Sequence, residues 1–510
     1  MMAGMLVVSG LLAAGSAART TALLRAEVGV ETPATATMLS QPSSQNSPMV
    51  LADPTDARFV VLAHRQDAPS FGCGLQVSGD GGRSWIGVNP VPALPEGADV
   101  CYAPEVVFDD DSRLYYLFIA LAGLGNNPTG VYLVTSDDHG RTFTPPRQVL
   151  GPSHYQVRMA IDPGMGARGR IHIVWLKAAS DSALGGLTPD PNPLFASYSD
   201  DGGQRWSAPV QVSDTDRPRA VAPAIVVAPD HTVHIAYYDL RDDVRDYQGL
   251  EGPPWDGDWS VVVTSSTDRG RGFGRGVVVD GEISPPGRVM LIYTMPPPAL
   301  AADSSNRVLV AWTDGRTGDP DVYLSWSADG GRSFAPAQRV NDDPVGNGKD
   351  QYLPRLGAAP SGRVDLAFLD RRDDPANVLN DTYLAWTEDG GRSLSPNTKL
   401  TSQSSDSRIG QRYLVPSAEG LYEMGGRIGV LSRSTSAIVA WPDTRNSPTG
   451  TAQQDVFTTT VRFLGAADAD GRGGGGLPVV PLTLAGVGGA AGLGVFFLRR
   501  RGISSTTAVG

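Results

Sequence analysis

Four stretches place an arginine two residues after an aspartate and four after an aromatic: Tyr237-Tyr-Asp239-Leu-Arg241, Trp312-Thr-Asp314-Gly-Arg316, Phe368-Leu-Asp370-Arg-Arg372 and Trp441-Pro-Asp443-Thr-Arg445. Ala63-His-Arg65-Gln-Asp67 is a partial relative with the order of charges reversed. Guanidinium groups gathered at one mouth would grip a carboxylate, because arginine presents two parallel N–H donors to it. The same repetition also fits an Asp–Arg ion pair used structurally in unit after unit. A second set is a tyrosine with proline close behind: Tyr102-Ala-Pro104, Tyr293-Thr-Met-Pro296, Tyr352-Leu-Pro354 and Tyr413-Leu-Val-Pro416, with Tyr155 in the equivalent place and Arg158 nearby. Such rings offer a sugar a stacking face and a hydroxyl. They serve equally well as apolar plugs.

What must position these residues is a repeat. Ser-x-Asp-x-Gly-x-x-aromatic occurs around Asp80, Asp138, Asp201, Asp268 and Asp329, and a sixth copy around Asp389 begins with Thr and ends in Leu394. The opening Ser or Thr residues are spaced 58, 63, 67, 61 and 60 apart. Six copies at a near-constant period signal a repeat architecture. The aspartate can accept N–H bonds within its own turn, glycine permits positive φ, and the aromatic folds back onto the sheet, so the motif staples a hairpin. Each copy follows two β-rich runs, as in Val364-Asp-Leu-Ala-Phe368 then Thr382-Tyr-Leu-Ala385. An earlier run (Leu356–Ala359) precedes these, and a fourth follows each motif, as in Gln338–Val340. Four strands per ~60 residues is one propeller blade.

The Asp-boxes resemble those of the sialidase-like (neuraminidase) β-propellers, and the resemblance covers residues 30–463. It implies an all-β propeller of four-stranded antiparallel blades. A box-less unit follows the sixth box (Tyr413–Ser417, Ala437–Trp441, Asp455–Thr460), and Thr37–Gln41 resembles the outer strand Thr398–Ser402. We therefore expect seven blades, with six as the alternative, and an N-terminal strand closing the last blade. The resemblance also implies a retaining exo-α-sialidase chemistry without cofactor or metal: arginines on the substrate carboxylate, a tyrosine nucleophile with a glutamate partner, and an aspartate acid/base. Carried onto this chain, it makes Tyr413 the candidate nucleophile and Asp67 the candidate acid/base. Arg65, Arg241, Arg316, Arg372, Arg412, Arg445 and Tyr352 become candidate substrate-binding residues, and Glu105, Glu251 and Glu423 candidate partners of the tyrosine. The family's Arg-Ile-Pro segment is absent; the chain reads Asn46-Ser47-Pro48-Met49. The alternatives to an enzyme are a glycan- or protein-binding surface propeller and an assembly scaffold.

Bulk properties bound these readings. The 510 residues carry a formal charge of −12, which lacks the basic footprint of a nucleic-acid binder. Six scattered histidines make no zinc motif, and Asp109–Asp111 and Asp468–Gly471 fall short of a calcium loop. Residues 5–18, apolar and ending in small side chains, read as a secretory signal (1–18), though without a basic leader. The 22 uncharged residues Leu477–Leu498, before Arg499-Arg500-Arg501 and after a glycine-rich stalk (464–476), read as a transmembrane helix with a cytoplasmic tail (499–510), as in bacterial C-terminal anchors. The propeller would then sit on the extracellular face, its partner an anionic glycan or glycoprotein. Cys73 and Cys101 are the two cysteines of a chain read as exported, and are expected to form a disulfide.

Overall fold

The computed structural model describes residues 24–465, apart from 36–42, 89–92, 124–125, 165–167, 178–190, 244–256, 285–295, 411, 414–420, 423 and 449–450, and only the backbone at 412–413 and 421–422. Seven antiparallel blades form a ring. Blade 6 shows the pattern: Gln351–Ala358, Val364–Asp370, Leu379–Thr387 and Thr398–Lys399, hydrogen-bonded in that order from axis to rim. The inner strands of the other blades are Ser44–Ala52, Val100–Phe108, His154–Asp162, Ala220–Val227, Ala299–Ala302 and, in blade 7, Gly429–Arg433. Each inner strand contacts the next, and that of blade 7 contacts that of blade 1, so the ring is closed.

Second strands such as Val364–Asp370 are buried along their whole length, because a neighbouring blade covers each face. The core therefore lies between blades: Met49, Val61 and Leu75 of blade 1 pack with Val106, Leu114 and Phe118 of blade 2. A disulfide joins Cys73 of blade 1 to Cys101 on the inner strand of blade 2, with Cα atoms 5.8 Å apart.

All six boxes are closed in the same way. In the copy at 327–334, Ser327 Oγ donates to Asp329 Oδ1 at 2.7 Å and accepts from the Gly331 amide at 2.9 Å. Asp329 Oδ1 also accepts from the amides of Arg332 and Ser333, at 3.0 and 2.9 Å. The box aromatic locks onto the preceding blade: Trp85 Nε1 donates to Thr458 Oγ1 of blade 7 at 3.1 Å. Gly82, at φ +94°, adopts a backbone conformation that a side chain would strain, and a Cβ there would lie 2.6 Å from Ile438 Cδ1 of blade 7, which would have to shift. Ser84, Ser78 and two amides outweigh burial and hold the Asp80 carboxyl down at about 2.

Blade 7 departs from expectation in two places. Its outer strand is Arg25–Val28, paired with Asp455–Leu464 from Arg25↔Leu464 to Val28↔Val461, and Thr32–Pro33 extends the pairing. This strand starts before the expected boundary at residue 30; the expected strand Thr37–Gln41 lies outside the described residues. Ala26 and Val28 face the cluster of Trp386, Phe457 and Phe463, so alternation in Arg-Ala-Glu-Val selects the face. The inner strand is Gly429–Arg433, not Tyr413–Ser417, whose first residue pairs instead with Leu421 in a separate two-stranded hairpin. Gly425, at φ +88°, decides this: a Cβ would lie 2.8 Å from the Ser47 amide, so only a glycine lets this chain approach blade 1 closely. Among the described residues no helix is long and apolar enough to cross a membrane, and the expected span at 477–498 lies outside them.

His64, His172 and His234, all on second strands, are at most 4 % exposed. Burial lowers their imidazoles to about 4, 3 and 4. These values lie below the ~6.5 of an unfolded histidine. Their stabilisation is whole above that value and is lost as pH falls toward the folded values, by about 1–2 kcal/mol each at pH 5. We expect the urea midpoint to fall steadily from pH 7 to pH 5; a flat profile would rule this out.

Candidate functional site

Box turns and aromatic-x-Asp-x-Arg turns lie at opposite ends of the blades, since one follows third strands and the other follows second strands. The Asp-x-Arg arginines are absorbed by the scaffold. Each aspartate first caps its turn, accepting the amide of its arginine at 2.7–3.0 Å. Arg316 Nε then bonds Asp314 at 2.6 Å, and its Nη2 reaches Asp280 on the outer strand of blade 4 at 2.7 Å. Arg372 bonds Asp370 at 2.8 Å and Asn397 at 2.8 Å and pairs with Asp342. Arg445 pairs with Asp443 at 2.7 Å and with Glu31 of the N-terminal segment. Arg241 turns to Ser260 Oγ at 2.8 Å. Arg316, Arg372 and Arg445 also lie over third-strand aromatics Tyr323, Tyr383 and Phe457. Burial opposes the charge on Arg316 and Arg372, yet the adjoining carboxylates raise both guanidiniums above their ordinary range.

The mouth at the axis is built from a different repeat. Inner strands carry a bulge at one register: the pairing shifts between Asn46 and Met49, Tyr102 and Glu105, Tyr155 and Arg158, Val221 and Ala224, and Tyr352 and Arg355. The residue after the first of each pair has positive φ: Ser47, Ala103, Gln156, Ala222 and Leu353, all between 50° and 59°. Met424-Gly425-Gly426-Arg427 supplies the same conformation in blade 7, with Gly425 in place of a strained residue. The bulge re-aims the fourth residue of each segment.

In four blades that fourth residue is charged, and the four charges meet. Arg427 Nη1 pairs with Glu105 of blade 2. Arg427 Nη2 donates to Pro104 O at 2.6 Å, and its Nε to Ser47 O of blade 1 at 3.2 Å. Arg158 Nη1 of blade 3 lies 3.7 Å from the same Glu105 oxygen. Arg355 of blade 6 feels the charges of Arg427, Glu105 and Arg158. Groups from blades 2, 3, 6 and 7 can converge only at the axis. Arg355 makes no hydrogen bond and no ion pair with any described residue, and burial, with Arg427 and Arg158 beside it, lowers its guanidinium to about 10.

Arg65 and Asp67 stand beside this cluster and are brought together, with Arg65 Nη2 donating to Asp67 Oδ2 at 2.7 Å. Asn46, at the Arg-Ile-Pro position, donates to the same oxygen at 2.7 Å. Arg65 stacks on the Tyr102 ring, its Cζ 5.0 Å from the centroid. Tyr352 bonds Asn380 Oδ1 at 2.8 Å and lies under Arg371. The side chains of Tyr413 and Arg412, and Glu251 and Glu423, lie outside the described residues, as does Tyr293. At the mouth, four guanidiniums (Arg65, Arg158, Arg355, Arg427) face two carboxylates (Asp67, Glu105), a formal surplus of two positive charges. Sequence reasoning missed Arg355 and Arg427. Their signal was a charge three residues past the first bulge residue, visible in Tyr102/Glu105, Tyr155/Arg158 and Tyr352/Arg355.

No protein-family model matches the chain, and no curated protein matches it. Solved structures similar to it include a polysaccharide lyase of family PL25, an ulvan lyase (10% identity over 84% of this chain and 98% of that one, TM-score 0.48). The phage phi92 endosialidase is another (12%, 85% and 69%, TM-score 0.45). A third is the α-L-arabinofuranosidase Arb93A of Fusarium graminearum (13%, 72% and 94%, TM-score 0.41). At these scores the likenesses carry no functional argument. The molecule's own geometry is that of a β-propeller of seven four-stranded blades, six of them stapled by Asp-boxes.

Proposed function

We propose that this chain recognises anionic glycans, gripping the acid group of a sugar at the axial mouth. The observation that carries this reading is Arg355, a cation without a partner among the described residues, set beside two further guanidiniums. Arginine binds carboxylate and sulfate through paired N–H donors, and a half-buried site strengthens each such bond.

Hydrolysis of a sialoside is the second reading, favoured by three guanidiniums converging near an acid. It requires a tyrosine deprotonated by an unencumbered carboxylate. Glu105 is held by Arg427 and Arg158, and Asp67 by Arg65 and Asn46, so both acids act first as counter-ions. With both of these described acids engaged, recognition ranks above hydrolysis, and Tyr413 is the residue on which hydrolysis would depend. In this proposal the propeller is exported and held at the cell surface by the C-terminal span.

Calorimetric titration of the purified full-length chain with sialyllactose and with lactose tests the reading. Binding of the sialylated sugar alone, weakening with salt, is the expected result. Equal affinity for both sugars would overturn it. Turnover of a fluorogenic sialoside that is lost in Tyr413→Phe would promote the hydrolase reading.

A further inference from the structure

Glu105 lies against two of the arginines of the mouth. It is 3 % exposed, and it lies on blade 2 while its arginines come from blades 3 and 7. Arg427 reaches it across blade 1, anchored on the way by the carbonyls of Ser47 and Pro104. Ser47 in turn donates from its Oγ to Asn46 Oδ1 and accepts the Gly426 amide at 2.8 Å, so the arm carrying Arg427 is fixed at its base. Three guanidiniums thus surround a single carboxylate, and only Arg355 is left without a hydrogen bond or ion pair to the described residues.

We infer that Glu105 is an internal stand-in for the ligand's acid group, keeping the arginines assembled and competing with ligand for Arg427 and Arg158. This rests on the anion-recognition reading above. An incoming carboxylate or sulfate docks first on Arg355, then draws Arg158 and Arg427 away from Glu105. The tethered carboxylate is a competitor at high effective concentration, so it lowers affinity for every anion alike. Its removal leaves three like charges together, so stability falls as affinity rises. Removal of a carboxylate that merely organised the site would lower both.

The test is calorimetric titration of the full-length chain with sulfate and, separately, with N-acetylneuraminic acid, in wild type, Glu105→Gln and Glu105→Asp. Glu105→Gln removes the charge; Glu105→Asp keeps it but withdraws it by one methylene. It therefore serves if the first variant fails to fold. The expected result is a gain of about tenfold or more in Glu105→Gln, a smaller gain in Glu105→Asp, and a lower melting temperature without ligand. Unchanged or weaker binding in the folded variants, with wild type binding, would overturn the inference and leave recognition standing. Absence of anion binding in wild type and variants alike would overturn the recognition reading and the inference with it.

Discussion

Arg355→Ala is expected to lose about 10- to 100-fold in affinity for a sialylated sugar while its melting temperature holds or rises, and Arg372→Ala is expected to do the reverse. The two arginines sit 17 residues apart in blade 6 and differ in what surrounds them. Arg355 has no hydrogen bond or ion pair to any described residue and two guanidiniums as electrostatic neighbours, so its removal relieves repulsion and costs only the ligand's charged bonds. Such bonds contribute about 1.5–3 kcal/mol each. Arg372 neutralises Asp370, which is fully buried, and ties the turn to Asp342 and Asn397. Its loss strands a buried carboxylate, at a cost of about 3–5 kcal/mol. Calorimetry and thermal melts of the two variants read both effects. A common outcome for both substitutions would mean that mouth and scaffold are not separable as described.

Removal of the residues before Ala34 is expected to have the largest effect on the fold. The deletion takes away the outer strand Arg25–Val28 and the pairs at Thr32 and Pro33, and exposes the edge of Asp455–Leu464. It also uncovers Phe463 and the adjoining cluster, and deprives Arg445 of Glu31. An open apolar edge is a template for pairing with another chain. The truncated chain should melt more than about 10 °C lower or self-associate, and a peptide of residues 24–35 should restore it. A truncated chain that stays monomeric and melts within a degree or two of the intact one would refute this account of ring closure.

The blade repeat was legible in the sequence because the box is a local device. Its hydrogen bonds close within eight residues, as Ser327, Asp329, Gly331 and Ser333 show, so residue types at fixed offsets carry the whole interaction. The second strands were legible for a related reason: cover on both faces favours a long apolar run, as in Val308–Trp312. Blade 7 was read less well. Its inner strand depends on the contact between Gly425 and Ser47, residues 378 positions apart, which no local pattern reports.

The site divides along the same line. Sequence alone determined that arginines recur beside aspartates at one rim, but a motif repeated in blades 4 to 7 is placed at equal radius around the ring. There each arginine finds partners in its own or an adjoining blade or the N-terminal segment and serves the scaffold. A site on the axis is made where the repeats differ, and the fourth bulge residue is Met49 in blade 1, Glu105 in blade 2, Arg158 in blade 3, Ala224 in blade 4, Arg355 in blade 6 and Arg427 in blade 7. Only closure of the ring brings three of those arginines around one glutamate, because their proximity depends on the rotation between blades and not on any distance along the chain.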